Sequence, residues 1–120
     1  MQIFKVFQLE AAHLLPNGPA GHKCARLHGH SFCIEIHVEG EPEAQLGWVM
    51  DFADLKTAFA PLYDQLDHHY LNDIEGLENP TSEMLSRWIF TRLAPGLPGL
   101  DKVVVHETCT SGATCSRASF

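Results

Sequence analysis

"SFCIEIHVEG", residues 31–40, alternates strictly: Phe32, Ile34, Ile36 and Val38 fall on one face, Ser31, Cys33, Glu35 and His37 on the other. Successive strand side chains point to opposite faces, so this period predicts a strand with one face in a core and one face polar. Upstream, "IFKVFQL" (3–9) alternates in the same way, and the turn-forming "PNGPAG" (16–21) lies between the two. The pair is therefore expected to run antiparallel, joined by a long irregular connection. Near the other end, "DKVVVHETC" (101–109) and "TCSRASF" (114–120) read as two more strands, with "TSGA" (110–113) separating them.

The middle of the chain changes period. In "DFADLKTAFAPLYDQLDHH" (51–69), Phe52, Leu55, Phe59, Leu62 and Leu66 recur at helical spacing, and Asp51 is an expected N-cap. Pro61 is expected to kink or restart that helix. "PTSEMLSRWIFTRL" (80–93) has Pro80 and Thr81 at its start and Glu83 in its first turn, with Met84, Leu85, Trp88, Ile89 and Leu93 as its apolar stripe. Strands, then helices, then strands predict an α+β fold, a four-stranded antiparallel sheet with two helices on one face.

The chain has 120 residues, 45% of them hydrophobic, without repeats or linker-like stretches, which predicts one domain over residues 1–120. A formal charge of -7 argues against a nucleic-acid or acidic-membrane surface, and no apolar run approaches bilayer length. Lys5, Gln8 and Glu10 interrupt any apolar stretch at the start, so no signal peptide is read and a cytoplasmic setting is expected. Cys24, Cys33, Cys109 and Cys115 show no CxxC spacing and are expected as thiols.

Immediately before the deciding strand stands "CARLHGH" (24–30). If residues 28–30 are extended, His28 and His30 share a face, and hairpin pairing with the first strand brings His13, at the end of "EAAH", beside them. Three neutral imidazoles form a zinc-type site with its fourth position open, the arrangement of catalytic centres. Ordinary, separately hydrogen-bonded histidines are the alternative. Cys24 stands four residues before His28 and has three readings: a fourth ligand closing a structural site, a thiolate base beside the metal, or an inert thiol.

Two further groups carry chemistry. In "LDHHYLND", Asp67 beside His68 suits a carboxylate–imidazole pair for proton transfer, provided the helix has ended there. A polar helix end, or His69 as the active partner, is the alternative reading. In "VVVHETCTSG", Glu107 follows Val103 and Val105 on one strand face, so an apolar face ends in a carboxylate. A solvated strand end would explain it, as would recognition of a guanidine-like edge by two parallel N–H bonds.

Taken together, "EAAH", "CARLHGH", "GWVMDF", "LDHHYLN", "NPTSE" and "VHETCTSG" occur in an order and spacing that resembles the 6-pyruvoyltetrahydropterin synthase superfamily, most closely its bacterial 6-carboxytetrahydropterin synthase branch in queuosine biosynthesis. The resemblance spans nearly the whole chain. It implies one zinc ion per subunit on His13, His28 and His30, Cys24 as proton acceptor, Asp67 and His68 as a catalytic pair, and Glu107 as pterin anchor with a part in catalysis. Thr81 and Ser82 fall where the family contacts the pterin ring. It further implies the tunnel fold, in which subunit sheets join into a barrel and trimers stack into a homohexamer with active sites at subunit boundaries. The implied substrate is a pterin triphosphate, for which Lys23 and Arg26 are the candidate local positive charges. Rival functions are the pyruvoyl-forming reaction, a hydrolase or aldolase acting on a related pterin, and a noncatalytic binding module stabilised by zinc.

Overall fold

The computed structural model describes residues 1–120. Two twelve-residue strands, β1 (Gln2–His13) and β2 (His28–Glu39), pair antiparallel along their whole length. The helix α1 (Phe52–Leu66) follows, then a two-residue strand β3 (His69–Tyr70), the helix α2 (Ser82–Leu93), and the hairpin β4 (Leu100–Thr108) and β5 (Ser111–Ser116). The sheet order is β3-β1-β2-β4-β5. The expected four-stranded antiparallel sheet is thus corrected to a five-stranded mixed one, because β3 pairs parallel to the end of β1 through Ala11–His69 and Ala12–Tyr70.

The alternation in β2 has the consequence read from it. Phe32, Ile34 and Ile36 have no exposed surface and Val38 very little. They join Leu9, Leu55, Phe59, Leu85, Ile89, Val103 and Val105 in one contiguous core of 22 residues, with α1 lying over β1 and α2 over β4 and β5. Asp51 caps α1 by accepting from the Ala53 amide at 2.8 Å. The helix then continues through Pro61 instead of restarting. Pro61 is on the exposed side, where the carbonyl left without its amide partner can face water. Thr81 caps α2, accepting from the Met84 amide at 3.1 Å. Met84, expected in the apolar stripe, is exposed, and Phe90 is buried instead.

The last hairpin turns earlier than expected. Its loop is Cys109–Thr110, so Ser111, Gly112 and Ala113 belong to β5 instead of the connection, and Arg117–Ser119 form a short 3-10 turn instead of strand. The ladder also slips: His106 pairs with Gly112 and Thr108 with Ser111, leaving Glu107 as the extra residue of a β-bulge. The core-facing side of the sheet therefore ends, at one extremity, in His13, His28, His30 and Glu107.

Candidate active site

Strand register assembles the histidines. His13 lies directly opposite His28, and His30, two residues along, lies opposite Ala11 on the same face. The imidazole centroids are 4.4 Å apart for His13 and His28, 5.1 Å for His13 and His30, and 5.6 Å for His28 and His30. His13 is 1% exposed although it is polar. Its position therefore requires partners for both ring nitrogens.

Each ring is turned by a backbone carbonyl. His13 Nδ1–H donates to Pro80 O at 2.8 Å, His28 Nδ1–H to Arg26 O at 2.8 Å, and His30 Nδ1–H to Ser31 O at 2.9 Å. A carbonyl only accepts, so the proton sits on Nδ1 in all three, and the neutral rings present Nε2 lone pairs. Those lone pairs converge: the Nε2 atoms of His13 and His30 are 3.1 Å apart. Glu107 Oε1 lies 3.0 Å from His30 Nε2 and 3.5 Å from His13 Nε2. One donor atom from each of His13, His28, His30 and Glu107 lies within 4.8 Å of all the others. Four lone-pair donors aimed at one point repel unless a positive charge stands among them. Imidazoles held by outer carbonyls, beside a carboxylate, fit a divalent metal ion.

Without such an ion, the pair Glu107–His13 carries the compensation. The hydrogen bond from His13 holds the Glu107 carboxyl at about 2 against the opposing effect of burial, helped by Ser82 and the charges of His13 and His30. Burial lowers the pKa of His13, but the hydrogen bond and charge of Glu107, together with the Pro80 carbonyl, outweigh it and the net direction is up. Ser82 Oγ–H donates to the other oxygen, Glu107 Oε2, at 2.5 Å. The segment that enters α2 thus reaches the site twice, through Pro80 O, one residue before the N-cap, and through Ser82 Oγ in the first turn.

Cys24 is not one of the four convergent donors. It rides on a 3-10 turn, Lys23–Ala25, whose first residues are held by His22 Nδ1 accepting from the Cys24 amide at 3.1 Å. The Leu15 amide donates to Cys24 O at 2.8 Å, drawing that turn against the chain two residues beyond His13. Cys24 consequently lines a cleft of about 670 Å3 with Thr81, Ser82, Glu107, Gly112 and Thr114. It also lines an adjoining one of about 570 Å3 with Lys23, His28, His30, Glu107 and Ser111. The thiol thus stands beside the donor cluster and outside it.

The Asp67–His68 pair forms because α1 has ended. Asp67 is its C-cap in extended conformation, and His68 follows at φ +59°, a backbone region that residues with a Cβ seldom occupy. Asp67 Oδ2 lies 2.8 Å from His68 Nδ1, while Oδ1 accepts from the Glu10 amide at 2.9 Å. That amide bond first, and His68 second, lower the Asp67 pKa. His69 is turned away to the Asp67 carbonyl at 2.8 Å. His68 opens into a cleft of about 440 Å3, lined also by Glu10, Gly29, His30, His69 and Tyr70. Within one chain, then, the structure gathers His13, His28, His30, Glu107, Cys24, Thr81 and Ser82, and places His68, with Asp67 behind it, on an opening that shares only His30 with them.

A sequence profile described as 6-pyruvoyl tetrahydropterin synthase matches residues 2–118. The chain belongs to that family. Among 6-pyruvoyl tetrahydropterin synthase relatives, it is 50% identical over 117 residues to 6-carboxy-5,6,7,8-tetrahydropterin synthase of Synechocystis, covering 92% of this chain and 89% of that protein. It is 45% identical over 73 residues to dihydroneopterin monophosphate aldolase of Pyrococcus furiosus, covering 61% and 60% respectively. The solved structure of Caenorhabditis elegans 6-pyruvoyl tetrahydropterin synthase superposes with a TM-score of 0.88 at 26% identity, over 97% of this chain and 94% of that one.

Several supports of the site have no signal in the sequence. Asn72 clamps the chain leaving β1, its side chain accepting from the Leu14 amide at 3.0 Å and donating to Leu14 O at 2.8 Å. Nothing in "YLND" announces that contact, since it joins residues 58 positions apart. The bulge at Glu107 and the role of Pro80 O are likewise long-range. Of the two candidate cations, Lys23 lines the cleft; the Arg26 side chain is exposed while its carbonyl holds His28.

Proposed function

We propose that the chain is a cytoplasmic, zinc-dependent lyase converting 7,8-dihydroneopterin triphosphate and water to 6-carboxy-5,6,7,8-tetrahydropterin, triphosphate and acetaldehyde, in queuosine biosynthesis. The observation that carries it is the convergence of three carbonyl-turned imidazoles beside Glu107 in a cleft that also holds the Cys24 thiol. The identity to the Synechocystis 6-carboxy-5,6,7,8-tetrahydropterin synthase supports the carboxy product.

His13, His28 and His30 are the ligands, and the ion they hold supplies Lewis acidity toward oxygens of the pterin side chain. The Glu107 carboxylate accepts two parallel N–H bonds from the guanidine-like edge of the pterin, a charge-assisted fork that fixes the ring plane. Thr81 and Ser82, at the start of α2, flank the ring. Cys24, as thiolate, removes a side-chain proton, and His68, oriented by Asp67 Oδ2, transfers protons at a second position. Lys23 is the cation facing the triphosphate.

Asp67 and His68 complete the site from a neighbouring chain. On the side away from β2, β1 has no strand beside Gln2–Leu9, and β5 has none on its outer side, so both sheet edges are open. Phe4 and Val6, 53% and 49% exposed, stand on the sheet face that carries no helix. A homohexamer of stacked trimers, with sheets joined through those edges into a barrel, covers this surface and brings the pair to the ligand cluster of another subunit.

The experiment is to incubate zinc-loaded protein with 7,8-dihydroneopterin triphosphate and assay triphosphate and acetaldehyde. Both products in equal amounts support the reading. Triphosphate without acetaldehyde points to the pyruvoyl-forming reaction, and turnover of a pterin monophosphate without triphosphate release points to the aldolase activity that the name of the Pyrococcus furiosus relative carries. Neither product from folded, metal-bound protein overturns it.

A further inference from the structure

We infer that Gly112 is a positioning residue for Glu107, setting the aim of the carboxylate that the proposed function assigns to the pterin. Where the β4–β5 ladder slips, Glu107 is left unpaired between His106 and Thr108, and Gly112 is the partner of His106 beside it. Bulges bend the strand that carries them and redirect a side chain. A Cβ on Gly112 would stand 2.5 Å from Val105 O and 3.1 Å from His106 Cα. Both are backbone atoms that cannot swing aside, and the first contact is roughly 1 Å inside ordinary van der Waals separation.

Any side chain at 112 must therefore part β5 from β4 at residues 105–106, immediately before Glu107. The carboxylate is held at 3.0 Å from His30 Nε2 and by Ser82 Oγ, contacts that a shift of this size breaks. His13, His28 and His30 belong to β1 and β2, whose pairing does not involve β5. The change at 112 thus separates the anchor from the ligands. The other glycine among the site's strands carries no such requirement: a Cβ on Gly29, between His28 and His30, would meet Ala11 O at an ordinary 3.6 Å. Glycine at 112 serves close backbone approach, since no positive φ is involved there.

The test uses Gly112→Ala in the metal-loaded protein, with three readouts: the absorption spectrum of bound Co2+, the dissociation constant for the fluorescent probe neopterin, and a crystal structure of the variant. The expected result is an unchanged cobalt spectrum, neopterin affinity reduced at least tenfold, and a Glu107 carboxylate beyond hydrogen-bond reach of Ser82 Oγ. In a Glu107→Ala background, Gly112→Ala should cost no further affinity, because it acts only through that carboxylate. Native affinity in Gly112→Ala, additive losses in the double variant, or an unmoved carboxylate overturn the inference. So does a variant that no longer folds or binds cobalt, which would make Gly112 a requirement of the sheet as a whole. If the native protein itself does not bind neopterin, the pterin assignment falls, and the position of Glu107 in the variant crystal structure still decides the role of Gly112.

Discussion

Replacing Ser82 with alanine removes the hydroxyl that holds Glu107 Oε2, at a position only 8% exposed. Alanine leaves no unpaired polar atom on α2, so the loss falls on the carboxylate. A hydrogen bond to a charged group contributes about 1.5–3 kcal/mol. If that energy serves to aim Glu107, pterin affinity falls by about 10- to 150-fold, at about 1.4 kcal/mol per factor of ten. The assay is a fluorescence titration with neopterin on metal-loaded Ser82→Ala, with urea unfolding alongside to register any part of the energy that appears as stability. Ser82→Thr, which keeps the hydroxyl, should recover most of the affinity. Native affinity in folded, metal-loaded Ser82→Ala would refute both a positioning role and a direct pterin contact.

Other expectations follow from the same geometry. Cys24→Ala should retain the metal and lose turnover at least a hundredfold; loss of metal would instead make Cys24 a ligand, and full turnover would remove its role as base. Glu35 lies on the helix-free face between His106 and His37, and its pKa is lowered first by the His106 hydrogen bond and then, against burial, by that of His37. A depressed carboxylate stabilises the fold above its unfolded pKa and ceases to do so as pH falls through its folded value. Glu35→Gln should therefore flatten the acid limb of stability against pH, followed by unfolding below neutral pH, and an unchanged limb would refute the linkage. Phe59 has no exposed surface and packs on Phe7 with centroids 4.7 Å apart, so Phe59→Ala should cost about 3–5 kcal/mol in chemical unfolding. A loss below about 1 kcal/mol would show that the core relaxes around the gap.

What could be read in the sequence is what has a short period or a short range. Alternation in residues 31–38 identified the core face of β2, and the same period carried His28 and His30 onto it. Antiparallel pairing then placed His13 opposite them, a consequence of register alone. The Asp67–His68 contact depended only on where α1 ends. β3 was illegible because two residues have no period, and its parallel pairing with β1 depends on the path of α1 across the sheet. The stretch TSGA is not the connection of the last hairpin, because Gly112 within it admits the β4 backbone and the turn is made by Cys109–Thr110. Pro61 does not restart α1, since its missing hydrogen bond falls on the exposed side of the helix. The carbonyl that turns His13 and the hydroxyl that holds Glu107 lie far along the chain from their targets, and no local pattern encodes such contacts.

The most direct test is the metal content of the protein purified without added metal, measured by elemental mass spectrometry beside His13→Ala and Cys24→Ala. One divalent ion per chain in the native protein and in Cys24→Ala, and none in His13→Ala, is the predicted result. An active native protein without metal, or metal fully retained by His13→Ala, would contradict the account.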